Sequence, residues 1–164
     1  MDIQKPPSKI FSKEQALTKA ESYCAYQERS QQEVRDKLYE WGLHQAETEE
    51  VIAELITQNF LNEERFALAY ALGKFRMKGW GKMKIKQGLK LKKVPEKLII
   101  KALAGIEEQD YLEKLSQLME QKAQFLKEKD PFKFRLKLMQ YLAAKGYEKD
   151  LILFLLKNNQ LNTK

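Results

Sequence analysis

The sequence predicts an all-α protein, a tandem array of three three-helix repeats of helix-turn-helix type, on three observations. Glycine and proline are scarce, at 7 and 4 of 164 residues, and the apolar residues recur at helical rather than alternating spacing. The pairs Val34/Leu38, Ile85/Leu89 and Leu138/Leu142 are offset from one another by 51 and then 53 residues. The last helix expected in each copy carries one apolar signature at i, i+1, i+4 and i+5. It reads Val51, Ile52, Leu55 and Ile56, then Leu98, Ile99, Ala102 and Leu103, then Leu151, Ile152, Leu155 and Leu156. Three short helices bury too little apolar surface to stand firmly alone, so linked repeats are expected to share stability. The expected boundaries are 12–58, 62–105 and 108–158, after a mobile tail over residues 1–11.

The tail reading rests on Pro6–Pro7 and on the lack of periodicity in MDIQKPPSKIF. Ser12 with Gln15 forms a capping-box signature that opens the first helix, with Ala16, Ala20, Tyr23 and Cys24 facing inward. Ser30 with Glu33 caps the second, which turns Val34, Leu38 and Trp41 inward and ends where Gly42 can adopt a left-handed conformation. Asn62 is a good N-cap for a long fourth helix, whose stripe is expected to be Phe66, Ala69, Tyr70, Gly73 and Met77. Gly79-Trp80-Gly81 stops it, and a basic helix built on Ile85 and Leu89 follows. Pro95 suits the first turn of the sixth helix. Leu112, Leu115, Met119 and Leu126 mark a long seventh, Asp130-Pro131 caps the eighth, and Gly146 ends it before the last.

Charge is distributed unevenly. Residues 1–73 hold 8 basic and 13 acidic groups and the remaining 91 hold 22 and 10, so the halves carry −5 and +12. Such a basic half implies a nucleic acid, an anionic membrane surface or an acidic protein partner. The excess is concentrated in Lys74–Lys101, with eleven Lys and Arg against one acid, Glu96. At ~100° per residue, Lys82, Lys86, Lys90 and Lys93 form a row beside the Ile85/Leu89 stripe, with no acid expected to answer it. Like charges at helical spacing cost ~0.2–0.5 kcal/mol per pair, so folding alone gives no reason for the row. A polyanion or an acidic surface does; the plainer reading is a solvated helix face. The row lacks the Asn, Gln and Arg side chains that read base edges, so any contact with DNA is expected to be sequence-independent.

The longest wholly apolar run, Leu151–Leu156, is far too short to span a bilayer, and one cysteine cannot form an internal disulfide. With no signal-peptide pattern at the start, a soluble cytoplasmic protein is expected. Catalysis finds little support. His44, the one histidine, falls in a polar connection and reads as a solvated loop residue, while Cys24 lies on an apolar stripe as a small core residue. No phosphate-binding glycine loop, CxxC or HExxH occurs, and neither a metal nor a cofactor is expected. The acid pairs Glu49-Glu50, Glu63-Glu64 and Glu107-Glu108 are expected near helix starts, where the macrodipole favours them. Trp80 projects from a turn among lysines, where it either stacks on a base or partner side chain or caps the core.

Specific motifs run through residues 28–105. Arg29, Ser30, Glu33, Val34, Lys37 and Leu38 fit Arg-Ser-x-x-Glu-[Leu/Val]-x-x-Lys-Leu. Phe60, Leu61, Asn62, Glu63, Arg65, Phe66 and Ala67 fit an apolar pair followed by Asn/Asp-Glu-x-Arg-[Phe/Tyr]-Ala. Lys78, Gly79, Gly81, Lys84, Ile85 and Leu89 fit a Lys-Gly-x-Gly turn with a following Lys-Ile-x-x-x-Leu. On these residues the chain resembles the RecX family of bacterial recombination regulators, more loosely in its third repeat. Two positions depart from the family pattern: Asn59 stands where Gly is usual, and Lys93 where the family has Gly. The resemblance implies an array of three-helix units and no catalytic activity. It also implies binding in the groove of a RecA-type recombinase filament on DNA, limiting filament growth, ATP hydrolysis and strand exchange. Arg76, Lys78, Trp80, Lys82, Lys86, Lys90 and Lys93 are the candidate contacts, toward single- or double-stranded DNA or toward acidic recombinase surface. A monomer without membrane or small-molecule partners is expected. A direct DNA-binding helical module and a helical scaffold without nucleic-acid contact are the alternatives.

Overall fold

The computed structural model describes residues 10–158. They form α1 (Lys13–Tyr26), α2 (Gln31–Glu40), α3 (Gln45–Thr57), α4 (Glu63–Lys78), α5 (Lys82–Leu91), α6 (Glu96–Ala104), α7 (Glu108–Phe125), α8 (Pro131–Ala144) and α9 (Lys149–Asn158), with no strand among them. None of these helices is long and apolar enough to cross a membrane.

The repeat follows from local chemistry. Val34, Leu38, Ile85, Leu89, Leu138 and Leu142 are each fully buried at equivalent places in the middle helices α2, α5 and α8. Each of these helices is followed by a left-handed residue and then a buried apolar one: Gly42 and Leu43, Lys93 and Val94, Gly146 and Tyr147. Lys93 keeps φ at 57°, so the helix end has the conformation that glycine would give despite the Cβ. Asn59 does the same at φ 62°.

Two compact units arise from this chain. The first comprises the described residues up to Ala67 together with Lys92–Val94. Capping boxes at Ser12/Gln15 and Ser30/Glu33 start α1 and α2, and the core gathers Ala16, Ala20, Cys24, Val34, Leu38, Leu43, Val51, Ile52, Leu55 and Leu61. Ile56, expected inside, is 44% exposed because α3 buries Thr48, Val51, Ile52 and Leu55 instead. The expected mobile tail needs correcting at its inner end. The Phe11 N–H donates to the Trp41 carbonyl at 3.0 Å and its ring meets the Trp41 ring edge-on at 6.3 Å. The rest of that segment, residues 1–9, lies outside the described residues. Glu49 and Glu50 sit one turn into α3 rather than at its start, where Arg35 and Lys13 hold them.

Much of the sequence motif in this unit is structural. The Arg29 guanidinium stacks 3.7 Å from the Tyr23 ring centroid and donates to the Tyr23 carbonyl, while Glu33 closes its capping box and accepts from Lys92 at 2.7 Å. The Glu63 carboxylate accepts from the Gln31 N–H at 2.8 Å, and burial raises its pKa. Arg65 ties the Asn59–Phe60 turn to Glu28. Cys24 is buried, and burial pushes its thiol up to about 11, the wrong direction for a nucleophile. A thiol reagent at mildly alkaline pH is therefore expected to label native protein far more slowly than unfolded protein; equal rates would place Cys24 at the surface.

The second unit comprises Leu68–Leu91 and the residues from Pro95 onward. Of the stripe expected on α4, Phe66 is buried and Tyr70 and Gly73 are half-buried, but the rest of the inward face differs. Ala71 and Phe75 are inside, whereas Ala69 is exposed and Met77 is 82% exposed. Phe75 points at Tyr111, whose ring lies 5.9 Å away, so the third repeat sets the register of that helix face. On α7 the inward residues are Tyr111, Leu115 and Met119, and Leu126 falls just past the helix end. The Asp130 carboxylate caps α8 by accepting from Phe132 and Lys133, with Pro131 in its first turn.

Candidate functional site

The region around Trp80 is built where two helix ends meet. α4 stops because Gly79 turns left-handed at φ 66°, with its N–H donating to the Phe75 carbonyl at 3.1 Å as in the αL end motif and the Trp80 N–H reaching back to the Lys74 carbonyl at 3.2 Å. The start of any helix has N–H groups with no partner in the same helix. At the entry to α5 they are met by the end of α8: Gly81 donates to the Lys145 carbonyl at 2.8 Å and Met83 to the Gly146 carbonyl at 3.0 Å. Between them the Lys82 N–H donates to the Tyr111 hydroxyl at 3.0 Å. The positive end of one helix dipole thus faces the negative end of another.

This approach requires glycine twice. A Cβ on Gly81 would lie 2.3 Å from the Gly146 carbonyl carbon, and one on left-handed Gly146 would lie 2.4 Å from Lys84 Cβ. Two buried tyrosines complete the joint. The Tyr147 hydroxyl donates to the Gly79 carbonyl at 3.0 Å, and Tyr111 donates to the Glu148 carboxylate at 2.9 Å. Their rings lie 5.1 Å apart, and burial raises both phenol pKa values far above the ordinary range.

The joint sets half-buried Trp80 among cations. Lys74 Nζ lies 4.9 Å and Lys84 Nζ 4.6 Å from its ring centroid. Lys145 Nζ donates to the Lys78 carbonyl at 3.3 Å and lies 5.9 Å from the Tyr141 ring, with Lys122 Nζ 4.7 Å from the same ring. Among the described residues no carboxylate pairs with any of these five lysines. Cation–π contacts of this kind stabilise by about 0.5–1 kcal/mol each at exposed sites, which offsets part of the lysines' mutual repulsion.

Of the residues singled out in the sequence, Trp80 belongs to this cluster and Lys78 joins it through its backbone carbonyl, its side chain being exposed. The others are placed differently. Lys82 Nζ lies 4.8 Å from the Tyr111 ring and borders a groove of about 640 Å³ with Glu107, Glu108, Glu148 and Asp150. Lys86 pairs with Glu96 at 3.1 Å. Arg76 is exposed but shares a groove with Asp110 and Glu113. Lys90 and Lys93 are exposed. The row expected to have no acid to answer it therefore has one carboxylate partner, Glu96 at Lys86, and at Lys82 a groove that four acids also line. Helix packing is the reason, because α6 brings Glu96 to Lys86 of α5, and the third repeat lines the groove beside Lys82 with acids. Sequence reasoning missed Lys74, Lys84, Lys122, Tyr141 and Lys145. Lys84 lies ~200° around α5 from Lys82, on another face.

Fold and surface together define a class: an all-helical tandem array of three-helix domains with a basic, aromatic surface where the second and third meet. The family models for the first, second and third three-helix domains of RecX match residues 16–55, 62–103 and 108–156 in that order. The protein belongs to the RecX family. It is 35% identical over 124 residues to the regulatory protein RecX of Clostridium perfringens (strain 13 / Type A), covering 74% of this chain and 58% of that one. Identity to the regulatory protein RecX of Bacillus mycoides (strain KBAB4) is 29% over 139 residues, covering 85% and 52%. The chain thus spans little more than half the length of these curated relatives. The crystal structure of RecX from Lactobacillus salivarius superposes with a TM-score of 0.83 at 25% identity, over 92% of this chain and 97% of that one. A second crystal structure of regulatory protein RecX shares the fold, with a TM-score of 0.77 at 21% identity over 89% and 73%.

Proposed function

We propose that the chain is a non-enzymatic regulator that binds a RecA-type recombinase filament on DNA in the cytoplasm and limits its growth, ATP hydrolysis and strand exchange. The observation that supports the regulatory reading is the match of three consecutive domains to RecX models, in relatives named regulatory proteins. The basic cluster around Trp80 supports the mode of contact. Its lysines lack carboxylate partners among the described residues, and such lysines neutralise phosphates and thereby release the counterions condensed on DNA. Trp80 and Tyr141 carry these ammoniums over their rings, and a base can stack there, without regard to sequence, once an ammonium moves from the ring to a phosphate. Linked domains that each touch the filament weakly gain effective concentration, so no single contact has to be tight. The chain acts as a monomer in this reading. Lys90 and Lys93 add long-range attraction, whereas Lys82, Lys86 and Arg76 contribute less because of their acidic neighbours.

The test is co-sedimentation with filaments of the host's own recombinase on single-stranded DNA, beside recombinase-free DNA. Retention on the filament well above retention on bare DNA is expected. Equal retention would support a direct DNA-binding module, and none on either would leave a helical scaffold.

A further inference from the structure

The third repeat carries a second apolar surface that its own packing does not use. α8 buries Phe134, Leu138 and Leu142 in the core. Phe132, Leu136 and Met139 form another stripe at i, i+4 and i+7, and with Leu153 and Leu156 of α9 they line a groove of about 490 Å³. Phe132 is 75% exposed, and Leu136 and Leu153 are 43% and 44% exposed. Solvent-facing apolar groups gathered in one concave place are a feature of interaction sites, because isolated folding gains nothing from them. The two remaining lining residues, Arg135 and Lys157, are both cations and both exposed, and among the described residues no carboxylate lines the groove.

We propose that this α8–α9 groove docks an amphipathic helix of a protein partner, with apolar anchors at i, i+3 or i+4, and i+7 and with carboxylates along its flanks. A groove between two helices takes the apolar face of a third, and the anchors fill it at one-turn spacing. Arg135 and Lys157 select the sign of the flanks, Arg135 through a guanidinium that can hold a carboxylate at two points. A second copy of this chain is a poor occupant. Two such grooves face to face would set the Arg135 and Lys157 cations of both copies against one another, which disfavours association. The proposal does not depend on the recombinase reading.

Fluorescence anisotropy on the full chain tests it with two labelled helical peptides that share one Leu/Phe stripe, flanked by Glu in one and by Lys in the other. The acidic peptide is expected to bind about tenfold or more tightly than the basic one, a difference of ~1.4 kcal/mol. R135E with K157E should reverse that preference, and F132S with L153S should weaken both peptides, with circular dichroism unchanged. Should a variant fail to fold, the wild-type chain still decides the matter, because affinity for the acidic peptide must fall as salt rises. Equal binding of both peptides, a preference untouched by charge reversal, or an affinity indifferent to salt would overturn the proposal. So would a self-association through this face that the acidic peptide cannot displace.

Discussion

Gly81→Ala is expected to destabilise the second unit by about 3 kcal/mol or more, because its Cβ collides with backbone rather than with a side chain that can swing away. The nearest atoms are the Gly146 carbonyl carbon at 2.3 Å, its oxygen at 2.4 Å and the Tyr147 nitrogen at 2.5 Å. Relief requires the start of α5 to withdraw from the end of α8, which breaks the Gly81–Lys145 and Met83–Gly146 hydrogen bonds and strains the hydrogen bond from Lys82 to Tyr111. Each broken bond leaves a helix-terminal group to find water, at ~0.5–1.5 kcal/mol where it stays accessible and more where it does not. The two tryptophans report on the two units separately, since Trp41 belongs to the first and Trp80 to the second. In denaturant, W41F carrying Gly81→Ala should lose its Trp80 signal at a clearly lower midpoint, while W80F carrying the same change should shift its Trp41 midpoint less. Gly73→Ala is the control. Nothing lies within 4 Å of its added Cβ, so it should be neutral or stabilising by ~0.4–1 kcal/mol. An unchanged Trp80 midpoint in the Gly81 variant would show that the helix ends are not packed as described.

The second large effect concerns binding. Replacing Lys74, Lys84 and Lys145 together by Gln should flatten the salt dependence of filament binding by about 2–3 in log–log slope, at ~0.7–0.9 for each phosphate no longer neutralised. The fold should hold, because the change relieves repulsion and leaves the Lys145 backbone carbonyl, which accepts from Gly81, in place. Replacing Lys82, Lys86, Lys90 and Lys93 by Gln removes four charges but should change the slope less. Lys86 already has Glu96, and Lys82 lines a groove with four acids whose negative potential disfavours phosphate there. A larger slope change in the second variant than in the first would return the interface to the α5 row.

The sequence made the parts with local causes visible. Ser12, Ser30, Asn62 and Asp130 cap their helices as their side chains and spacings imply, and Ile85, Leu89, Leu138 and Leu142 are buried at the offsets that disclosed the repeat. Left-handed Gly42 and Gly146 were legible as helix stops for the same reason. The stripe of α4 was not legible. Part of its inward face is chosen by Tyr111, and a tyrosine at the start of α7 gives no sign in the sequence that its hydroxyl will be held between Lys82 and Glu148. The candidate surface was half visible. Trp80 among lysines marked the turn, but which lysines surround it depends on α8 ending against the start of α5. Glu96, which pairs with Lys86, lies on the next helix, and the acids lining the groove beside Lys82 are distant in sequence, so a count of charges along one helix does not show them.

The measurement that tests the central claim most directly is the rate of DNA-dependent ATP hydrolysis by the host's recombinase, titrated with the wild-type chain and with the Lys74/Lys84/Lys145→Gln variant. The wild-type chain should slow hydrolysis progressively and hydrolyse no nucleotide when assayed alone. The variant, folded by circular dichroism, should need a concentration about tenfold or more higher for the same slowing, equivalent to ~1.4 kcal/mol of weakened binding. A wild-type chain that leaves the recombinase rate unchanged, or that hydrolyses nucleotide itself after rigorous purification, would contradict the regulatory reading. A variant as potent as wild type would contradict the assignment of the contact to the surface around Trp80.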